Sequence, residues 1–409
     1  MTLYKEMPDR EKLEALTGDQ SPEPLKVNGH FHTPYSFSAF RDLEQVFRMA
    51  REENVDVLGI NDFYTMDGYG EFATLARQYR KVPLFNIEFM GLLEEEQENG
   101  ILVNDPNNPG RTYFSGKGLD YPVSLGGESA AKLKSVRGES DKQTREMVAK
   151  TDRHLRSVDP HMKLDYQELR NSLTRGMVRE RHIAKAVRLQ VFQAAGSDSE
   201  RRELLEAIFG GTPPKSALED TVALEGEIRS RLLKAGGVAY VQENPRAFLA
   251  IDEVIRIILD AGGIPCYPVL LDNANGEITA YESDYDRLYK NLTDLNVYSV
   301  ELIPGRNDHQ ILSDFVHYFD EKGFVITFGT EHNTPALDPL TITARGGTPL
   351  GSYLEEVSYR GACVIAAHQY LRSMNEKGFL DERGVPATNR DQLASLGHAF
   401  IQHFINQPT

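Results

Sequence analysis

What this 409-residue chain has little of narrows its class before any motif is read. It holds two cysteines, Cys266 and Cys363, too few for a disulfide framework or a thiolate zinc site, which fits a reducing compartment. No run approaches the roughly 18 apolar residues a membrane-spanning helix requires. The charged start MTLYKEMPDREKLEAL lacks the apolar stretch of a secretory signal. A cytoplasmic, soluble protein with no membrane partner is therefore expected. Basic excess is missing too: 61 acidic against 45 basic residues give a formal net charge of −16. That balance argues against a broad nucleic-acid surface, because phosphate neutralisation needs a basic field, although a local basic groove stays open. Internal repeats, low-complexity tracts and nucleotide-binding glycine fingerprints are absent. So is any serine, histidine and aspartate set in strand-turn-helix context, so a serine hydrolase is not expected.

What is present is a chain with 40% hydrophobic residues, long enough for one barrel-sized core plus an insertion, or for two domains. Beyond a polar leader ending at SPEP come short apolar runs, each finishing in polar residues: LKVNGHFH, VDVLGINDF, VPLFNIEF, GGIPCYPVLLD, NVYSVELIPGRND and GFVITFGTEHN. Between the early ones lie DLEQVFRMAREENV and GYGEFATLARQYRK, whose apolar residues recur three or four apart, as on a helix. Strands alternating with helices predict parallel βα units. In parallel barrels the chemistry gathers at the C-terminal strand ends, where His30, His32, Asp62, Glu88, Glu301 and His332 would fall.

The pattern then divides the chain into an N-terminal extension over 1–25, a barrel from 26–125 and 235–345, a charged helical insertion over 126–234 and a C-terminal helical segment over 346–409. That last segment is expected to pack on the barrel or close its cleft as a lid. EEEQENGILVNDPNNPGRTYFSGKG, dense in Asn, Pro and Gly, reads as a long loop after the Glu88 strand, of the kind that is often functional.

The stretch GHFHTPYSFSAF places His30 and His32 either side of Phe31, and alternation on a strand aims both imidazoles to one side. With Glu88 and His332 from other strand ends, these are ligand types for zinc, manganese or iron. Such ions hydrolyse esters by acidifying water and polarising the oxygen under attack. Phosphate recognition would need fixed positive charge or clustered amides: Arg306 in IPGRND suits a bidentate contact, and Arg111 and Lys117 lie in the Gly-rich loop. His368, on an apolar helix, reads as structural.

HFHTPYSFS, NDFYTMDG, FNIEF, RERHIAKAV, the AGGIPCYP strand and FGTEHN resemble, in order and spacing over most of residues 26–345, the motifs of the polymerase and histidinol phosphatase (PHP) family. The branch most similar includes nucleoside bisphosphate phosphatases and small exoribonucleases. The resemblance implies an α/β fold, a distorted (β/α)7 TIM-like barrel, with up to three metals at the strand ends, hydrolysing phosphate esters. It also implies that the helix of His182 borders the substrate cleft, so His182 is a possible substrate contact or a packing histidine.

Departures from the family pattern fall at Phe37 and Phe63, which replace an aspartate and a histidine of one metal site, and at Tyr267 and Thr330. Exchange of both ligands for phenylalanine reads as one event, since either alone would be a polar group without its ion. His30, His32, Glu88 and His332 survive, and Glu331 could stand in for the missing aspartate by a one-residue shift. This set could hold one divalent ion. A second would need new ligands, for which Asp105, Asn104 and Tyr267 are weak candidates. Tyr267 could equally hydrogen-bond a substrate or pack, and Asp62 could orient a ligand histidine or cap a loop.

Three readings follow. The first is a hydrolase of a small phosphorylated substrate using one or two zinc, manganese or iron ions. The second is a barrel that has lost this chemistry and serves as a binding or regulatory module. The third is a one-metal enzyme acting on a non-phosphate substrate, with Tyr267 or Glu301 as acid or base. The oligomeric state is left open.

Overall fold

The computed structural model describes residues 3–4, 7–15, 23–273 and 276–407. Part of the polar leader, including residues 16–22, lies outside them. The frame of the molecule is a sheet of β1 (Lys26–Phe31), β2 (Val55–Phe63), β3 (Val82–Leu92), β4 (Arg111–Lys117), β6 (Ile264–Val269), β7 (Ser299–Leu302) and β8 (Val325–Phe328), hydrogen-bonded in that order. The two-residue β5 (Leu249–Ala250) pairs with the far end of β3. The sheet curls into a nearly closed barrel of seven strands. Between β8 and β1 the seam is held by a parallel bridge from Phe31 to Glu331, with Thr330 N and Glu331 N both donating to His30 O at 3.0 Å. Runs such as VDVLGINDF are almost wholly buried because helices cover their outer face while the barrel interior covers the other.

One strand departs from expectation. The stretch read as a functional loop contains β4, which runs antiparallel to both of its neighbours, β3 and β6. Its alternation carries Tyr113, Ser115 and Lys117 to one side. Ser115 is the register partner of Glu88, so that side is the barrel interior.

Helices Gly127–Val158, Tyr166–Leu173, Glu180–Ala194, Asp198–Ile208 and Thr221–Leu232 share an apolar cluster of their own, with Met147, Leu155, Ile183, Val187, Leu205 and Ile228 at its heart. They meet the barrel at the segment following β1: Arg175 N donates to Pro34 O at 3.0 Å, and His182 packs edge-on against Phe37 at 4.8 Å. This body therefore stands over the C-terminal strand ends.

The C-terminal helices do not form the lid that was one of their expected roles. Helix Ser352–Ser373 is buried on nearly every side and packs at the other end of the barrel. There Gln369 Oε1 accepts from Phe85 N at 2.8 Å and its Nε2 donates to Pro83 O at 3.1 Å, near the start of β3. Helix Arg390–Ile405 lies against it, and residues of the leader join them: Tyr370 donates to Pro8 O at 2.7 Å and Leu13 is fully buried. No helix among the described residues is long and apolar enough to cross a membrane.

Candidate metal centre

Where β1 ends, the chain delivers His30 from inside the barrel and His32 just beyond it. Their Nε2 atoms face each other at 3.4 Å, and His32 Nε2 lies 3.3 Å from Glu88 Oε2. Glu331 completes the group: one ligand atom from each of His30, His32, Glu88 and Glu331 falls within 4.8 Å of the others. Two nitrogens bound to one tetrahedral ion at ordinary zinc distances stand about 3.3 Å apart, so the observed separation fits a shared ion. Two imidazole lone pairs at this range repel unless a cation or a proton lies between them.

Both tautomers are set from behind. His30 Nδ1 lies 2.8 Å from Glu301 Oε2, which as a carboxylate can only accept, so Nδ1 carries the hydrogen and Nε2 keeps its lone pair. Glu301 in turn is paired with the fully buried Lys117 ammonium, which also donates to Asn61 Oδ1 at 3.2 Å. His32 Nδ1 meets Ser36 Oγ at 3.2 Å, and that hydroxyl donates to Asp62 Oδ1 at 2.6 Å, so its hydrogen is committed to Asp62. Asp62 further accepts from Thr33 N at 2.7 Å. It thus acts on His32 through Ser36 and pins the segment after β1. The amide of Asn61 stands 3.1 Å from His30 Nε2 and can satisfy that nitrogen when no ion does.

The electrostatics follow from three carboxylates buried together. Burial raises the Glu88 carboxyl to about 8, with Glu331 and Glu301 adding to the rise and His30 opposing it. Burial would raise Glu331 and Glu301 as well. For Glu331 the Arg306 guanidinium and both imidazoles outweigh it; for Glu301 Lys117 and His30 do, so each lies below the usual carboxylate range. His32 is pushed down by burial. Imidazole and carboxylate donors with this surplus of acid suit a divalent cation.

The turn after β8 explains why Glu331 rather than His332 reaches the cluster. Glu331 and His332 both adopt positive φ, 68° and 50°, a conformation costing about 1–3 kcal/mol for each such residue. The bonds to His30 O, and that of His32 N to Glu331 O at 2.8 Å, hold the turn. His332 is carried away to stack on Phe40 at 4.5 Å. Its Nδ1 contacts Thr330 Oγ1 at 2.6 Å and its Nε2 Asp338 O at 2.8 Å. Its expected role as a ligand is corrected: both ring nitrogens are already engaged.

Other expectations change for equally physical reasons. Tyr267, considered for catalysis, is the register partner of Val300, one residue from inward-facing Glu301, so its ring points out of the barrel. Its hydroxyl donates to Glu282 Oε1 at 2.8 Å. Lys117 is no loop lysine available to a substrate but part of the buried network behind His30. Arg111 is ion-paired with Glu243 at 2.5 Å and covers the ring of Phe248. Arg306 is half exposed, and its guanidinium rests on Glu331. His182 is buried, its Nδ1 accepting from Arg179 N at 3.0 Å as the helix starts, and burial lowers its pKa to about 3. Asn104 is spent on the backbone of Tyr113 and Pro268, and Asp105 on Asn107 N and Asn108, so neither is placed for a second ion.

Sequence reasoning missed Ser36, Asn61 and Tyr113 altogether, and saw Glu301 only as an acid or base. Ser36 had a usable signal, standing four residues after His32 in the same segment. Tyr113 had none while β4 was read as a loop, and Lys117, singled out as a phosphate contact, gave no sign of its buried role behind His30.

No family model matches the chain, and no curated protein sequence does. Solved structures do. A provisionally named metal-dependent phosphoesterase from Bifidobacterium adolescentis superposes with a TM-score of 0.51 at 13% identity, over 83% of this chain and 98% of its own. An amidohydrolase from Chromobacterium violaceum, with sulfate bound and no metal, gives a TM-score of 0.51 at 15% identity, over 82% and 96%. At such identities the likeness is one of fold alone.

Proposed function

We propose that the protein is a metal-dependent hydrolase of a small phosphate ester, a PHP-type barrel with a reduced metal site. The observation that carries this reading is the convergence of His30 Nε2, His32 Nε2, Glu88 and Glu331, with both Nδ1 positions fixed by partners of their own. A divalent ion held by His30, His32, Glu88 and Glu331 would supply Lewis acidity toward a phosphoryl oxygen and would lower the pKa of water toward neutrality. Glu88, protonated at neutral pH in the ion-free site, would give up its proton on binding the ion. Glu301 and Lys117 keep His30 in place and Asp62 and Ser36 keep His32, while the half-exposed Arg306 guanidinium, paired with Glu331, would have to move aside for Glu331 to ligate. The phosphoesterase naming of one structural neighbour and the sulfate in the other support a tetrahedral oxyanion as the group acted on.

The test is elemental analysis of protein purified without chelator or affinity metal, followed by a phosphoester screen. About one equivalent of zinc, manganese or iron is expected, lost in the His30→Ala/His32→Ala variant together with phosphate release. A wild-type content near zero, also after incubation with each ion, sinks the proposal. The contact of Arg306 with Glu331 and of Asn61 with His30 favours one second reading under that outcome: a barrel whose polar groups are satisfied without an ion, used as a binding module.

A further inference from the structure

The arginines the sequence offered for phosphate are both neutralised, Arg111 by Glu243 and Arg306 by Glu331. Two others are not. Arg179 and Arg181, at the start of helix Glu180–Ala194, are half-buried and have no carboxylate partner among the described residues. Their neighbours Arg188 and Arg229 are paired, with Glu225 and Glu180 respectively. Arg179 does touch Ser140 Oγ at 3.3 Å, a neutral group.

Instead of acids, both guanidiniums lie over aromatic rings: Arg179 Cζ is 4.1 Å from the Phe63 centroid and Arg181 Cζ 5.8 Å from that of Phe37. These rings flank the cluster. Phe63 is the register partner of Glu88, so the two side chains are neighbours on the interior face. Phe37 follows Ser36, which holds His32. The charges are mutually felt: Arg179 helps to push the His32 pKa down, and Arg181 interacts with Glu331. Tyr113, on the interior face of β4, feels Glu88, Glu331 and Arg179, and Arg181 feels Tyr113, so the charges of the cluster and of the arginines reach one another. Burial, with Arg229 beside it, lowers the Arg181 pKa to about 10, the mark of a cation short of a counter-charge.

We propose that Arg179 and Arg181 form an oxyanion subsite beside the metal cluster, seated on Phe63 and Phe37, that takes the non-bridging oxygens of the substrate's phosphoryl group. Each guanidinium presents a planar fork of donors matched to such oxygens, and an arriving dianion supplies the missing counter-charge. The inference rests on the phosphate-ester reading for the identity of the substrate, and it makes the helical insertion a working part of the site.

Inorganic phosphate, titrated calorimetrically into the full chain with and without added metal, tests it. The proteins compared are wild type, Arg179→Gln, Arg181→Gln, Arg181→Lys, the double glutamine variant and Arg153→Gln, an exposed arginine of the same insertion. Each single glutamine is expected to weaken phosphate binding about tenfold and the pair roughly a hundredfold, with Arg181→Lys intermediate because it keeps charge without the fork. Arg153→Gln, metal content and melting temperature should stay at wild-type values. Phosphate bound as tightly by the double variant as by wild type overturns the proposal. So does a loss of phosphate binding that always accompanies loss of the metal, since the arginines would then only position the cluster. Arginine-dependent phosphate binding in a protein that takes up no metal would support the subsite while removing the hydrolase reading.

Discussion

Glu301 shows how one residue can hold a site without being its ligand. It and Lys117 are almost wholly inaccessible, at 1% and 0% side-chain exposure, and each is the other's charge partner. Such a pair costs desolvation that is returned only while both members are present. Glu301→Gln removes the charge, strands the ammonium and leaves the Nδ1 hydrogen of His30 at most a neutral amide oxygen as acceptor. The expected result is a loss of about 3–5 kcal/mol in urea unfolding, the figure for breaking a buried pair. Beyond the loss of stability, metal affinity should fall by about 10- to 100-fold, the usual effect of removing a ligand's partner. Unchanged metal affinity in a folded Glu301→Gln protein would show that His30 needs no orientation. His30, His32, Glu88 and Glu331 could be read in the chain because their types and strand-end positions are local properties. His332 could not be excluded locally, since its loss depends on Asp338 and Phe40 arriving across the turn.

Among the elements, β4 was hidden because the Asn-, Pro- and Gly-rich DPNNPG stretch ahead of it overrode the alternation in RTYFSGK. What makes it a strand is the pair of open edges on β3 and β6, which no local pattern announces. The C-terminal helices were visible as helices, but their partner was not. Their crossing depends on glycine for close approach: a Cβ on Gly397 would lie 1.8 Å from the carbonyl oxygen of Cys363. Gly397→Ala should therefore separate helices Ser352–Ser373 and Arg390–Ile405 and cost about 1–3 kcal/mol by overpacking. Because this contact is at the end of the barrel away from the cluster, metal content in the folded variant should stay at the wild-type value. Calorimetric melting and elemental analysis check the two halves of that expectation; a stable variant would mean the crossing has slack.

The molecule as a whole joins buried ionisable groups of opposite sense, Glu88 and His368 among them, and its stability should register both senses. In chelated protein the native Glu88 carboxyl, raised to about 8 from an ordinary 4.5, binds its proton more tightly than the unfolded chain does. Its contribution is fully present below about 4.5 and is lost as pH rises through about 8. His368 is held neutral by burial, at about 4, with Nε2 donating to Gly262 O at 2.6 Å and Nδ1 accepting from Phe379 N at 2.9 Å. The native state then binds fewer protons than the unfolded one, so this contribution is lost as pH falls from about 6.5 toward 4. Denaturant midpoints measured across pH 4–9 should show both arms. Glu88→Gln should shrink the alkaline arm, to which buried Glu282 also contributes, and His368→Gln the acid arm, to which buried His182 also contributes. Metal loading should remove from the alkaline arm the part that Glu88→Gln removes, because a ligated Glu88 has no proton to lose, and leave the part due to buried Glu282, raised to about 7; a Glu88 contribution that survives loading would remove Glu88 from the ligand set.

Hydrophobic periodicity sufficed to define alternating strands and helices, a helical insertion and the imidazole and carboxylate donors at single strand ends, because each is written in residues close together in the chain, while the barrel was implied by the resemblance in motif order. Which donors converge, which way Tyr267 faces, that Lys117 lies behind the site, and that Arg179 and Arg181 lie beside it were decided by strand register and by the packing of elements distant in sequence. A one-residue step along a strand reverses the face of a side chain, and nothing in the chain's local pattern records which partner will fix that step.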